Sequence, residues 1–290
     1  MPENKYEKRR KQKKVVTAVA SASTAGLVVL GIVSFLGRDI GSFTVKLENE
    51  GVKLALSRKY ASDEKTSFLL VNTLPTFEQY TYGDLPSDDV LDNEEYDYVM
   101  KGAANYSVDD DTKLLSLNYF KYTFYVSNEG TKAAGYDLNF NIVENNQSTD
   151  GTNRSLLDTL HVVVYQNAVT ENGAKTHDKV IYAKAPDEPR KDLEGNFVDK
   201  EYVSTPVDQV TKLNPFYGFA EPFVTDPLTK EVTGICSYNY DYLDVNKYVR
   251  YTLVCWLEGQ DPSDKNGIYA PEGASLKLEV KVNGYESKVI

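Results

Sequence analysis

Two cysteines and two histidines are the side chains best suited to redox, metal or proton-transfer chemistry in this sequence. Cys236 and Cys255 both lie in strand-like segments that could be neighbours, so a disulfide and a pair of buried free thiols fit their positions equally well. His161 alternates with apolar residues in a strand-like segment, and packing there is expected because a catalytic base needs a positioned partner. His177 precedes Asp178 and is predicted at the edge of a loop. No C-x-x-C or H-E-x-x-H pattern occurs, so no zinc site is indicated.

Acidic residues form two clusters, at residues 109–111 and 261–266, whose carboxylates could bind calcium. Asp264 and Asn266 match ligand positions of an EF-hand loop, but Pro262 stands at the first position, where a carboxylate is required. Solvated loops are therefore predicted in both places. No G-x-S-x-G elbow, phosphate loop or dinucleotide fingerprint is present, and we predict neither catalytic residues nor a cofactor.

The most distinctive stretch is the string WLEGQDP, which begins at Trp256 and follows a strand-like segment predicted to be buried. Gly259 can adopt a positive φ, and Asp261 before Pro262 favours an extended or turn conformation. Glu258 could accept backbone N–H groups at this corner or bind a cation together with Asp261. Isolated carboxylates at strand ends are usually structural or solvated, so a structural role is preferred.

Short strands are the elements that must position these residues. Alternation of apolar and polar residues with period two recurs along the chain, as is typical of strands with one face in a core. About nine to eleven such segments are predicted, the clearest at residues 43–47, 52–57, 114–128, 136–143, 160–166, 179–184, 248–257 and 275–282. Residues 154–159 fit one helical turn. The predicted fold class is mainly β, an antiparallel β-sandwich or jelly roll preceded by one N-terminal transmembrane helix.

The spacing of the strands also predicts which of them pair. Residues 43–47 and 52–57 are separated by an Asn- and Gly-containing turn, which predicts a β-hairpin. Residues 114–128 and 136–143 are expected to be neighbouring antiparallel strands. The acidic stretch at residues 74–105 contains prolines and is expected to be an insertion over one end of the sandwich.

An uncharged apolar segment runs from Val15 to Leu36. At about 1.5 Å per residue it forms a helix of roughly 33 Å, long enough to cross a bilayer core of about 30 Å. The Lys- and Arg-rich residues 1–14 hold the N-terminal end in the cytoplasm. We therefore predict a basic cytoplasmic tail at residues 1–14, a transmembrane signal anchor at 15–36 and an extracytoplasmic β-sandwich domain at 37–290. The alternative is a cleaved signal peptide and a secreted protein, but the segment is longer than a signal core and no A-x-A-like site follows it.

The chain is acidic, with a formal net charge of −11, although its first residues are basic. The part after the membrane segment is therefore more acidic than the whole. This charge argues against binding of nucleic acid, because neutralising phosphates requires a basic face. It keeps the exported domain soluble and could attract cations or basic surfaces, but a solvated acidic surface is the preferred interpretation.

The string YTLVCWLEGQDP at residues 251–262 resembles a motif of uncharacterised exported proteins of Gram-positive bacteria, and distantly the camelysin and TasA group. The strings GRDIGSFT, LHVVVYQN and KVIYAK at residues 37–44, 160–167 and 179–184 are similar to segments of that group. The resemblance implies an exported jelly-roll domain whose relatives assemble biofilm-matrix fibres. Ser263 stands where members often carry a cysteine after Asp-Pro. The protease activity associated with camelysin is not carried over, because the sequence offers no zinc ligands for it.

Three functional hypotheses follow. The first is a non-catalytic, membrane-anchored cell-surface protein that takes part in envelope interaction or matrix assembly. Its partners would be the lipid bilayer and either further copies of itself or other surface proteins, which it would bind by strand addition. The second is a carbohydrate- or cell-wall-binding module that uses exposed tyrosine and tryptophan side chains. The third is a hydrolase whose site matches no known motif. The first is preferred.

Overall fold

The computed structural model describes residues 41–59, 64–71, 79–80, 82–92, 119–149, 151, 153–169, 175–192, 194–203, 218–258 and 273–287. All of them belong to one compact unit, Ile40–Ile290. Within these ranges no helix is long and apolar enough to cross a membrane. The predicted anchor at residues 15–36 lies outside the described residues.

Strands dominate the described residues, which confirms the predicted mainly β fold class. In chain order they are β1 Gly41–Glu50, β2 Leu54–Ser57, β3 Phe68–Val71, β4 Gln79–Tyr80, β5 Tyr119–Asn128, β6 Ala134–Asn146, β7 Leu160–Val169, β8 Lys175–Ala183, β9 Arg190–Lys191, β10 Phe197–Val198, β11 Glu221–Pro222, β12 Val224–Thr225, β13 Val232–Leu243, β14 Tyr248–Glu258 and β15 Ser275–Glu286.

Helical structure among the described residues is limited to single turns. These are α1 at Asp88–Leu91 and two 3-10 turns at Tyr82–Asp84 and Leu156–Asp158. The last confirms the helical turn predicted at residues 154–159. It begins with a capping box in which Ser155 Oγ accepts the N–H of Leu157 and Asp158 accepts the N–H of Ser155, which satisfies N–H groups that a helix start leaves open.

The strands form two large sheets and one small hairpin. Sheet I has the order β12-β13-β6-β15-β1-β3, and sheet II has the order β11-β8-β7-β14-β5-β2, with β4 beside β14. The hairpin consists of β9 and β10. Most pairs are antiparallel, but β1–β15, β8–β11 and β4–β14 are parallel. The expectation of purely antiparallel sheets is therefore wrong for these pairs, whose members are too far apart in sequence for a tight turn to set their direction.

The predicted hairpin of residues 43–47 with 52–57 is wrong, because the chain crosses from one sheet to the other at this turn. β1 pairs with β15 and β3 in sheet I, whereas β2 pairs with β5 in sheet II. Gly51 has a φ of 73° in the turn, a conformation that favours glycine. Asn49 bridges the turn: its Oδ1 accepts the N–H of Leu54 at 3.1 Å and its Nδ2 donates to the Leu54 carbonyl at 3.2 Å. The crossing lets both strands direct their apolar faces into one core.

The second predicted pairing is wrong for the same reason, since β5 belongs to sheet II and β6 to sheet I. The buried side chain of Asn128 holds this crossing. Its Nδ2 donates to the carbonyl oxygens of Lys132 at 2.8 Å and Leu243 at 2.9 Å, and its Oδ1 accepts the N–H of Gly130 at 2.9 Å. Leu243 ends β13, where the chain crosses back to β14. One amide therefore ties two crossings together at the same end of the domain.

The inward-facing residues of both sheets form one hydrophobic cluster. Sheet I contributes, among others, Val45, Tyr136, Leu138, Phe140, Ile235 and Val280. Sheet II contributes, among others, Leu56, Phe120, Phe124, Val162, Val164 and Leu253. The alternating apolar residues of the sequence therefore meet between the two sheets.

Sheet II is buried on its other face as well. β5 and β14 are buried along almost their whole length instead of at alternate residues. A second cluster, made mainly of Tyr119, Val163, Tyr165, Val254 and Trp256, lies on this outer face under Leu91. Residues 82–92, which we call the strap, therefore lie along the outer face of sheet II. Together with β4, they are the described part of the acidic stretch at residues 74–105 predicted as an insertion over one end of the sandwich.

Candidate functional site

The corner at the end of β14 brings the distinctive motif and the strap together. Trp256 and Glu258 are 0% and 1% exposed. Glu258 Oε2 accepts the indole N–H of Trp256 at 3.0 Å and the backbone N–H of Tyr82 at 2.9 Å. The ring of Tyr82 lies 5.9 Å from that of Trp256. Glu258 thus accepts a backbone N–H group, one of the two roles considered for it, and fastens the beginning of the strap.

His161 lies behind the same tryptophan. It is 1% exposed, and its ring centroid is 5.4 Å from that of Trp256. Its Nε2 lies 2.9 Å from the Tyr202 carbonyl oxygen, and its Nδ1 lies 3.3 Å from that of Thr159. Both ring nitrogens therefore face backbone carbonyls, an arrangement that positions the strand and leaves no nitrogen directed at a nucleophile.

The middle of the strap is fastened by Asp88. Its Oδ1 accepts hydrogen bonds from Lys179 Nζ at 2.6 Å and from the Tyr165 hydroxyl at 2.7 Å. Partial burial opposes ionisation of Asp88, but the hydrogen bonds from Lys179 and Tyr165 outweigh it and hold the pKa of Asp88 below its usual value. For Lys179, burial is likewise opposed by its hydrogen bonds to Asp88 and Tyr82, and its pKa is raised. The ionised form of each partner is thus stabilised by the other.

The end of the strap is fastened by Asp92, whose side chain is only 8% exposed. Arg250 Nη2 donates to its Oδ2 at 2.9 Å, and Asn167 Nδ2 donates to the same oxygen at 2.9 Å. His177 Nδ1 lies 3.3 Å from that oxygen and 2.7 Å from Asn167 Oδ1. The prediction of His177 at a loop edge is wrong: it lies within β8, where its side chain reaches the strap.

The contacts of the strap were not predictable from its own sequence, in which Asp88 and Asp92 are two acids among several. A signal exists in β14. Arg250 interrupts a strand that is otherwise mostly apolar or aromatic and buried, and a cation on a buried strand is seldom left unpaired. Its position indicates an acidic element on the outer face, although not which one.

The two cysteines come from opposite sheets. Cys236 lies on β13 of sheet I and Cys255 on β14 of sheet II, and both are buried free thiols in the shared core. Burial raises the pKa of Cys255 to about 12, and burial together with the nearby Cys255 raises the pKa of Cys236 further still. Protonated thiols of this kind are poor nucleophiles and poor metal ligands.

Tyrosine and tryptophan side chains do not form an open platform on the described part of the domain. Every tyrosine whose side chain is described is buried or half-buried, and Trp256 is fully buried. Some join the two sheets through their hydroxyl groups: Tyr136 and Tyr251 are 2.8 Å apart, and Tyr182 and Tyr238 are 2.9 Å apart. Stacking on sugars needs an exposed ring face, and these rings are used for packing instead.

Other predicted positions lie outside the described residues, among them Gly259, Asp261, Pro262 and both acidic clusters. Within the described ranges, no group of three or more His, Cys, Asp or Glu side chains is placed to hold a metal ion. Comparison of the chain with protein-family models, with curated proteins and with solved structures finds no match.

Proposed function

We propose that this chain is a non-catalytic, membrane-anchored cell-surface protein that takes part in envelope interaction or in assembly of an extracellular matrix. Residues 1–14 lie in the cytoplasm, residues 15–36 cross the membrane, and residues 37–290 form an exported domain. The mechanism is the addition of a strand from another chain to an open sheet edge.

The exported domain is in this proposal a β-sandwich of the jelly-roll type. Two features support it. The two sheets share one hydrophobic cluster, as stacked layers of a sandwich do. Chain segments also cross repeatedly between the sheets, at residues 51–53, 129–133 and 244–247, as expected of a fold with long-range strand connections.

The observation that supports the proposal most directly is that β13 forms an edge of sheet I over most of its length. The last strand of this sheet, β12, pairs only with Val232 and Gly234. Residues 235–243 of β13 therefore have no strand on that side among the described residues. Natural edge strands are commonly protected by lysine or proline. β13 contains neither, and Asp241 is its only charged residue.

Sheet II has a comparable edge on the same side of the molecule. There β11 pairs only with Tyr182 and Ala183 at one end of β8. The hydroxyl of Tyr182 lies 2.9 Å from that of Tyr238 on β13, which brings the two edges together. β8 carries Lys179, so it is better protected than β13. An incoming strand is therefore expected on β13.

The test is self-association of the full-length chain in detergent, measured by sedimentation velocity and electron microscopy over a range of concentrations. Asn239→Lys places a protecting charge on the exposed face of the edge. Asn239 donates to Asp137 at 2.7 Å, so the new lysine meets a carboxylate and the fold is retained. Val143→Lys is the matched control, because Val143 is also exposed but lies on β6 and not on the β13 edge.

Wild-type protein is expected to assemble as the concentration rises, the Asn239→Lys variant much less, and the Val143→Lys variant like wild type. A wild-type chain that stays monomeric at every concentration would refute self-assembly. Equal effects of the two lysines would show that association does not use the β13 edge.

A further inference from the structure

We propose that the outer face of sheet II is a docking surface for an acidic, partly apolar segment, and that the strap of a second copy of this chain can take the place of the resident strap. This inference goes beyond the proposed function, because it involves a sheet face and is independent of strand addition at an edge.

Charge complementarity is the first argument. The chain as a whole is acidic, with a formal net charge of −11, yet three cations lie on the outer face of sheet II among the described side chains. Lys179 pairs with Asp88 of the strap at 2.6 Å, and Arg250 pairs with Asp92 at 2.9 Å. The third cation, Lys121, is buried with its Nζ 3.5 Å from the carbonyl oxygen of a strap residue. A basic face on an acidic protein is expected to select acidic segments.

The apolar part of the strap is small, which is the second argument. Leu91 is its only buried apolar side chain among those described, and it joins the cluster that contains Trp256 and Val254. Tyr82 and Leu85 pack against that cluster while half-buried. A segment held by one buried leucine and several polar contacts belongs to the least stable part of a domain and opens before the core does.

The identity of the occupant is the third argument. The strap fits this face through ion pairs of Asp88 and Asp92, which depend on its own sequence, and through a backbone N–H that Glu258 accepts. A second copy brings an identical strap and can make identical contacts, which is why exchange of an element between copies is an easy route to association. Anchoring in a shared membrane would raise the effective concentration of the second copy.

Cross-linking of introduced cysteines between copies with a short bismaleimide tests the exchange, because a lysine–aspartate ion pair can span more than the Cα separation that a disulfide requires. One full-length variant carries Asp88→Cys in the strap, and another, with a different mass tag, carries Lys179→Cys on the sheet. The native thiols of Cys236 and Cys255 are buried and do not compete. The matched control replaces Lys179→Cys by Lys281→Cys, because Lys281 is also a half-exposed lysine in an ion pair but lies in sheet I.

Treating the mixed variants with the bismaleimide is expected to give a heterodimer between Asp88→Cys and Lys179→Cys chains, in several-fold excess over the Lys281→Cys control. No excess over that control would overturn the proposal. A single chain carrying both Asp88→Cys and Lys179→Cys is expected to cross-link internally, and failure to do so would overturn the docked geometry itself. Adding Asn239→Lys to both copies is expected to leave the heterodimer yield unchanged, which separates this association from edge pairing.

Discussion

Replacing Glu258 by alanine removes the acceptor that ties the strap to the end of β14. In the wild-type structure one carboxyl oxygen accepts the indole N–H of Trp256 at 3.0 Å and the backbone N–H of Tyr82 at 2.9 Å. Trp256 is fully buried, so water cannot replace the lost acceptor without entering the site. Glu258→Ala therefore removes the acceptor of the fully buried indole N–H of Trp256 and of the backbone N–H of Tyr82 at the start of the strap.

The size of the effect follows from the two donors. An unsatisfied buried donor costs about 1–3 kcal/mol, so two give a loss of about 2–6 kcal/mol in the free energy of unfolding. Domains of ordinary stability have about 5–15 kcal/mol in total, so the variant should be visibly destabilised. Glu258→Gln keeps an oxygen in the same place and is expected to lose only about 1 kcal/mol.

The chain offers a convenient assay because Trp256 is its only tryptophan. Urea unfolding is followed by tryptophan emission and by far-ultraviolet circular dichroism, and in Glu258→Ala the emission is expected to change first, as the strap leaves the sheet. Glu144→Ala is the matched control, since Glu144 is exposed and makes only a surface ion pair with Lys277. A Glu258→Ala variant as stable as Glu144→Ala, or a Glu258→Gln variant as unstable as Glu258→Ala, would refute the role given to this carboxyl group.

Three further predictions concern the core and the strap. Tyr136→Phe removes the hydroxyl group that lies 2.8 Å from that of Tyr251. Urea unfolding should show that the free energy of unfolding falls by about 1–2 kcal/mol. An unchanged free energy of unfolding would contradict the role of this hydrogen bond. The pKa of Asp88 is lowered in the folded protein, so the stability that ionised Asp88 contributes is present above its unfolded pKa of about 4 and is lost as the pH falls. Tryptophan emission should therefore shift in acid. Asp88→Asn should abolish the part of this shift that comes from protonation of Asp88. Burial raises the pKa values of Cys236 and Cys255. Iodoacetamide at about pH 8 should therefore label neither cysteine in native protein and both cysteines in urea. If the cysteines are labelled in urea only after a reductant is added, they form a disulfide instead.

The strands of this protein are predictable from sequence because their alternation is local. Val45 and Leu47 in β1, or Leu276 and Leu278 in β15, alternate with polar residues and are buried as the pattern indicates. The exceptions are β5 and β14, which are buried on both faces. Their outward positions include Lys121 and Thr252, and the alternation alone would place these residues in water.

The partners of each strand are not predictable in the same way. An Asn- and Gly-containing turn fits a hairpin, but Gly51 turns the chain from one sheet to the other because both flanking strands have apolar faces to bury. The strap depends on contacts of still longer range: Tyr82 and Glu258 are separated by 176 positions in the sequence. Local patterns carry no information about such a pair.

We propose that the chain is held in a membrane with its β domain outside the cell. The most direct measurement is fractionation of cells that express the full chain, combined with N-terminal sequencing and with protease added to intact cells. We predict an intact chain in the membrane fraction whose β domain is cut by the external protease. A mature chain that begins after Leu36 and is found in the medium would contradict the anchor, and a chain that is protected from protease in intact cells would contradict export altogether.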